Sequence, residues 1–166
     1  NLFGRGDRVQ ADAEWNWRKV DVPDLDDEED VQLRLDRLSY AVGGTRFEPE
    51  GFEVGRFLQH GMPEFGVLDG VEWTTRTSSG QRYGASLGYL PEPGTEYETG
   101  DDFQVAGFYR WVLDETEQLS ASGGYQKTFH DGAADRDLIV ATLRRLPRTG
   151  WTLSGTAWVD VYSDSD

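Results

Sequence analysis

The chain has 166 residues, a length typical of one domain, and its 31 acidic and 16 basic residues give a formal net charge of −15. This charge argues against binding of nucleic acid, or of an anionic membrane surface, through a basic patch. The absence of cysteine excludes disulfides, thiol catalysis and cysteine-ligated metal sites, and no apolar run is long enough for a transmembrane helix.

Apolar and polar residues alternate along most of the chain, a period of two that is typical of β-strands with two different faces. The pattern predicts about nine strands and no amphipathic helix. The predicted strands lie near residues 9–17, 31–42, 52–58, 71–77, 81–90, 102–113, 118–129, 137–146 and 151–162. In the second strand the alternation changes phase, which predicts a β-bulge near Arg37. Residues 137–146 are apolar on both faces, so their register stays unassigned.

Strand length separates this pattern from that of an ordinary soluble sandwich. Four of the alternating runs extend over about 10 to 12 residues, whereas strands of soluble proteins cluster near 5–6 residues. A tilted strand that crosses a membrane needs about 9–11 residues. The run lengths therefore favour an antiparallel sheet that spans a membrane.

The connections between the predicted strands follow a rhythm. From Trp73 onward, tight connections at residues 78–80, 114–117 and 147–150 alternate with longer ones at 91–101 and 130–135. Short turns at one end and longer loops at the other are typical of bacterial outer-membrane barrels. The sequence therefore predicts an all-β antiparallel meander over residues 1–166, forming either a complete outer-membrane barrel or part of a larger one.

The two faces of the later strands differ in composition. One face carries Tyr, Trp, Phe, Leu, Val and Ala, and the other carries Gln, Arg, Ser and Thr. In a membrane barrel the apolar face meets lipid and the polar face lines a lumen, whereas a soluble lipocalin-like barrel reverses the two faces. Periodicity alone leaves open which face is inside. The charged candidates for lining a lumen are Arg18, Arg34, Glu72, Arg76, Arg82, Arg110 and Asp160.

Tryptophans lie near the ends of several predicted strands, on the apolar face. They are Trp15, Trp17, Trp111 and Trp151. Aromatic side chains at these positions are typical of the girdles that mark the two membrane interfaces of a barrel. Stacking of sugars in a carbohydrate-binding sandwich is the alternative interpretation of these tryptophans.

The first long connection carries a dense cluster of acidic residues. Oxygen ligands from Asp24, Asp26, Asp27 and Glu28 would suit Ca²⁺. The cluster lacks the alternating ligands and the central glycine of an EF-hand loop. A solvated, self-repelling loop is the simpler interpretation, and no other cofactor is expected.

Motifs of catalysis are sparse. His60 and His130 are the two histidines, both in predicted connections, and neither has a second histidine at helical spacing. The chain has no glycine-rich phosphate loop. We therefore expect no enzymatic activity.

One local stretch resembles a known family. Residues 53–58 (Glu-Val-Gly-Arg-Phe-Leu), a loop, and residues 68–73 (Leu-Asp-Gly-Val-Glu-Trp) resemble the porin-like barrels of the bacterial outer membrane. In those proteins a strand with a Gly-Arg pair leads into a loop, and an Asp-Gly-x-x-aromatic stretch resumes the sheet. The resemblance implies passage of solutes through a lumen that arginine and acidic side chains constrict.

These observations favour a non-enzymatic protein of a Gram-negative-type outer membrane. Its expected role is a porin-like passage or a structural surface protein, and its expected partners are membrane lipid, lipopolysaccharide and small solutes, with no nucleic acid. One alternative is a soluble, secreted β-sandwich or β-barrel that binds carbohydrate or calcium. A second alternative is a subunit of an extracellular β-rich fibre.

Overall fold

A computed structural model describes residues 6–20, 28–45, 48–92, 98–113, 118–148 and 151–162. These residues form nine strands and one short 3₁₀ turn, Pro63–Phe65. The strands are β1 (Arg8–Val20), β2 (Glu28–Gly43), β3 (Glu50–Leu58), β4 (Val67–Arg76), β5 (Arg82–Pro91), β6 (Thr99–Val112), β7 (Leu119–His130), β8 (Ala133–Arg148) and β9 (Trp151–Tyr162). The prediction of an all-β fold with about nine strands is confirmed.

Each strand pairs antiparallel with the strand that precedes it in the chain, so the sheet is a simple meander in the order β1 to β9. Among the described residues, β1 pairs only with β2, and β9 pairs only with β8. The sheet therefore has two open edges. Most strands have 10 to 16 residues, longer than the strands of a typical soluble sheet.

The bulge predicted in β2 is confirmed. Asp12 pairs with Arg37 and Ala13 pairs with Leu35, which leaves Asp36 as the extra residue. Because side chains alternate along a strand, one inserted residue exchanges the faces of all that follow. The bulge thus keeps apolar residues on one face in both halves of the strand.

The sheet has an inverted distribution of polarity. The outer face, as we name it, carries large apolar side chains that are exposed, such as Trp15 at 72%, Leu33 at 67% and Val159 at 56%. The opposite inner face carries polar side chains that are buried, among them Ser39, Glu53, Glu72, Gln104 and Gln126. The inner face also buries apolar side chains such as Phe57, Leu68 and Val140. The exposed apolar outer face and the buried polar side chains nevertheless depart from the arrangement usual in soluble proteins.

Glycines on the inner face allow the sheet to curve toward that face. Gly55 pairs with Gly70, and Gly70 pairs with Gly88, so the three lie side by side on β3, β4 and β5. A Cβ at Gly70 would overlap the Leu87 carbonyl of the neighbouring strand. Because no side chain fits there, the backbones approach closely, as they do where barrel sheets bend.

The connection between β7 and β8 differs from the prediction. A long loop over residues 130–135 was expected, and this is wrong, because β7 ends at His130 and β8 begins at Ala133. Asp131 (φ 50°) and Gly132 (φ 81°) have left-handed backbone conformations. An Asp-Gly pair with this geometry makes a two-residue hairpin turn that matches the twist of the flanking strands.

The β7–β8 turn yields a prediction about stability. Gly132→Ala should lower the free energy of unfolding by about 1 kcal/mol, because a side chain disfavours the left-handed conformation. Urea titration of the folded protein would measure this loss. The matched control is Gly155→Ala in β9, where nothing lies near the new methyl group. Equal losses in the two variants would contradict the assignment of the turn.

Candidate functional site

The candidate site lies on the inner face, where the connection between β3 and β4 folds over the sheet. We call residues 59–66 the inner loop. It contains the 3₁₀ turn, and three of its side chains, Gln59, Met62 and Phe65, are buried. The sequence indicated a long connection here but did not predict that it would fold back onto the polar face.

A chain of buried side-chain amides joins the inner loop to three strands. The Gln59 side-chain oxygen accepts hydrogen bonds from the Ser86 hydroxyl (2.6 Å) and the Gln104 amide (2.9 Å). The Gln126 amide donates to the Gln104 side-chain oxygen and to the Phe65 carbonyl. Buried amides that satisfy one another in this way fix a single loop position, since each unmade hydrogen bond would cost free energy.

Two buried carboxylates bind the start of the inner loop. Glu72 and Glu53 face each other across β3 and β4, with exposed fractions of 3% and 5%. Glu72 accepts hydrogen bonds from the backbone N–H groups of His60 (3.2 Å) and Gly61 (3.3 Å). Glu53 contacts the His60 ring (2.9 Å) and accepts a hydrogen bond from the Ser39 hydroxyl (2.6 Å). Both carboxylates therefore have donors within the protein.

An apolar contact anchors the other end of the inner loop. Met62 and Phe65 pack against a small buried cluster on the inner face, formed by Ala106, Leu138 and Val140. This contact explains why residues 137–146 are apolar on both faces. Leu138 and Val140, on the inner face, pack under the loop. Ile139 and Leu143 are exposed on the outer face.

Next to the inner loop lies a cavity of about 320 Å³, which we call the arginine cavity. Its charged lining residues are Arg8, Arg76, Arg82, Arg110, Glu53 and Glu72. In the strand register Arg76 lies opposite Arg82, and Arg82 lies opposite Arg110. Three arginines therefore occupy adjacent positions on β4, β5 and β6. Glu72 and Arg76 lie four residues apart on one face of β4, about 13 Å along the strand.

All seven charged residues expected on the polar face occupy inner-face positions of the strands. Four of these residues line the arginine cavity, namely Glu72, Arg76, Arg82 and Arg110. The other three do not line it. Arg34 pairs with Asp36 (2.6 Å), Asp160 pairs with Arg136 (2.7 Å), and Arg18 lies opposite Asp30.

The predicted girdle tryptophans lie on the outer face and divide between its two ends. Trp15 and Trp17 are near the end of β1, on the side of the inner loop. Trp111 is near the end of β6 and Trp151 begins β9, which places both at the opposite end of the meander. All four side chains are exposed.

The proposed calcium ligands Asp24, Asp26 and Asp27 lie outside the described residues, and Glu28 begins β2 without a described side chain. Among the residues that the structure describes, no group of three or more histidine and acidic side chains is placed to hold a metal ion.

Sequence reasoning missed five residues of the site, namely Glu53, Gln59, His60, Gln104 and Gln126. Their partners lie 7 to 61 residues away in the chain, so no local pattern indicated the contacts. One local signal was present. Met62 and Phe65 are large apolar residues in a connection, and such residues favour packing over exposure.

Comparison with protein-family models, with curated proteins and with solved structures finds no match to this chain. Within the part of the chain that the structure describes, none of the helices has the length and hydropathy needed to cross a membrane.

The amide chain yields a second prediction. Gln59→Leu keeps the size of the side chain but leaves the Ser86 and Gln104 donors unpaired, which should cost about 2 kcal/mol of unfolding free energy. The freed inner loop should then be cleaved by chymotrypsin after Phe65, which is buried in the native protein. Gln118→Leu, at an exposed position before β7, is the matched control and should resist cleavage as the native protein does. Resistance of both variants would contradict the role of Gln59.

Proposed function

We propose that this chain forms part or all of a β-barrel in a Gram-negative-type outer membrane and provides a non-enzymatic, porin-like passage for small solutes. The observation that carries the proposal is the inverted polarity of the sheet. Eight of the nine strands contribute exposed large apolar side chains, and a face of this extent is far larger than the patches that soluble monomers leave in water. Lipid would cover this face, and the buried polar face would line the passage.

The dimensions of the outer face support this proposal. On β6 its residues from Phe103 to Trp111 extend over about 26 Å of strand, or about 20 Å across a membrane at a tilt near 40°. Aromatic rings meet side by side at both ends of this band. Tyr89 contacts Phe103 with ring centroids 5.4 Å apart, and Trp73 contacts Tyr83 at 5.9 Å. Such rows suit the two lipid–water interfaces.

The long antiparallel strands support the proposal as well. In a membrane every backbone polar group needs a hydrogen-bond partner. In this meander each strand from β2 to β8 lies between two neighbours that supply such partners. The open edges at β1 and β9 would need partners too, from closure of the sheet or from further strands. In either arrangement the inner loop would lie within the passage and narrow it beside the arginine cavity.

The first test of this function is extraction and reconstitution. We expect the native protein to require detergent, to migrate differently on gels with and without heating, and to give ion conductance in planar lipid bilayers. A monodisperse protein in plain buffer, with no conductance, would contradict the proposal and favour the soluble alternative.

The inner loop provides the sharper test. Leu58 and Val67 pair directly at its base, so an Asn-Gly turn can replace residues 59–66 and keep the hairpin. The conductance of single channels should rise, because the segment that fills part of the passage is gone. The control is heat-modifiable migration, which should show that the shortened protein still folds. Unchanged conductance of the folded variant would contradict a passage along the inner face.

A further inference from the structure

Two aromatic side chains are exposed on the inner face, which is otherwise polar where it is open. They are Trp158 and Tyr162 of β9, with exposed fractions of 58% and 63%. Trp158 lies opposite the buried Val140, which fixes its position on the inner face, and Tyr162 lies four residues farther along the same strand. The other exposed aromatic side chains of the described strands lie on the outer face. Contact with lipid therefore explains those rings but not these two.

A charge pair lies beside both rings. Asp160, between Trp158 and Tyr162 on the strand, accepts hydrogen bonds from Nε and Nη2 of Arg136, both at 2.7 Å. The Arg136 guanidinium also lies over the Tyr162 ring, 5.8 Å from its centroid. Two of the five N–H donors of Arg136 are used in this way, and the other three have no partner among the described residues. The pair is thus electrically balanced and still offers donors.

Hydroxyl groups continue this surface toward the inner loop. The Thr142 hydroxyl donates a hydrogen bond to Glu64 of the loop (3.2 Å). Thr142 lies opposite Thr156, which is two residues before Trp158 on the same face of β9. We call Arg136, Trp158, Asp160 and Tyr162 the aromatic platform. Polar groups therefore border its Trp158 ring on the side of the loop and separate its two rings from each other.

We infer that the aromatic platform binds a linear, uncharged oligosaccharide. A sugar ring has an apolar C–H face, which can stack on an aromatic ring, and a rim of hydroxyls that both donate and accept hydrogen bonds. Trp158 and Tyr162 lie about 13 Å apart along the strand, too far for one sugar ring to cover both. The ligand therefore has several rings in a line. Because Arg136 and Asp160 balance each other, the platform favours an uncharged ligand over an ionic one.

This inference deepens the proposed function and rests on it for one consequence, which is that the passage takes up sugars. Binding itself depends only on the aromatic platform, which is formed by β8 and β9. Binding and conduction can therefore be measured separately, and one can fail while the other stands.

Isothermal titration calorimetry tests the platform on the full chain, in the medium that keeps it folded, with cellohexaose and maltohexaose as probes. We expect saturable binding of at least one of them. Trp158→Leu should lower its affinity about tenfold, because ring stacking disappears, whereas Trp158→Phe should retain most of it. Tyr162→Leu serves as the second variant if Trp158→Leu does not fold. Trp151→Leu removes an exposed outer-face tryptophan of the same strand and should bind like the native protein.

The outcomes separate the platform from the passage. Sugar binding that Trp158→Leu weakens and Trp151→Leu does not, in a protein without conductance, supports the platform and overturns the proposed function. Conductance without binding of either sugar supports the passage and overturns the platform, as it would if a strand paired with the open edge of β9 covered the rings. Equal loss of affinity in the Trp158 and Trp151 variants also overturns the platform, since it would show contact of sugar with tryptophan in general.

Discussion

The continuous antiparallel register is the constraint on which the rest of this structure depends. Because side chains alternate with a period of two, direct pairing places each inner-face residue opposite an inner-face residue of the neighbouring strand, except at the register shifts that interrupt four of the eight strand pairings. This register puts Glu53 opposite Glu72 and aligns the three arginines of β4, β5 and β6. A slip of one residue between β4 and β5 would move Arg82 to the outer face. The bulge at Asp36 maintains the assignment of faces where the sequence changes phase.

An inner face that is both polar and buried creates a requirement for hydrogen-bond partners. The inner loop provides several of them. Its Gln59 side chain accepts hydrogen bonds from two strands, and its first backbone N–H groups bind Glu72. Since buried polar groups without partners are costly, the loop and the strand residues stabilise each other, and neither would be favourable alone. The loop is thus part of the inner face and not a connection laid over it.

How well the sequence predicts each feature depends on how far apart in the chain the interacting residues lie. Strand positions and the bulge depend on local alternation, and both were predicted. The Asp131-Gly132 turn was local too, but His130 before it and the small Ala133 and Ala134 after it concealed it within an apparent loop. The inner loop depends on partners as distant as Gln126, so its position was beyond a local pattern. Periodicity also left open which face is covered, and in the structure the inner loop covers the polar one.

The distribution of charge follows from the same separation of faces. The chain carries a net charge of −15, but Arg76, Arg82 and Arg110 lie opposite one another on the inner face. The buried Glu53 and Glu72 accept hydrogen bonds from Ser39 and from backbone N–H groups of the inner loop, so they help to position the backbone. Arg76, Arg82 and Arg110 each also take part in an interaction within the protein. Their alignment follows from the register of β4, β5 and β6, which the backbone pairing along these three strands fixes.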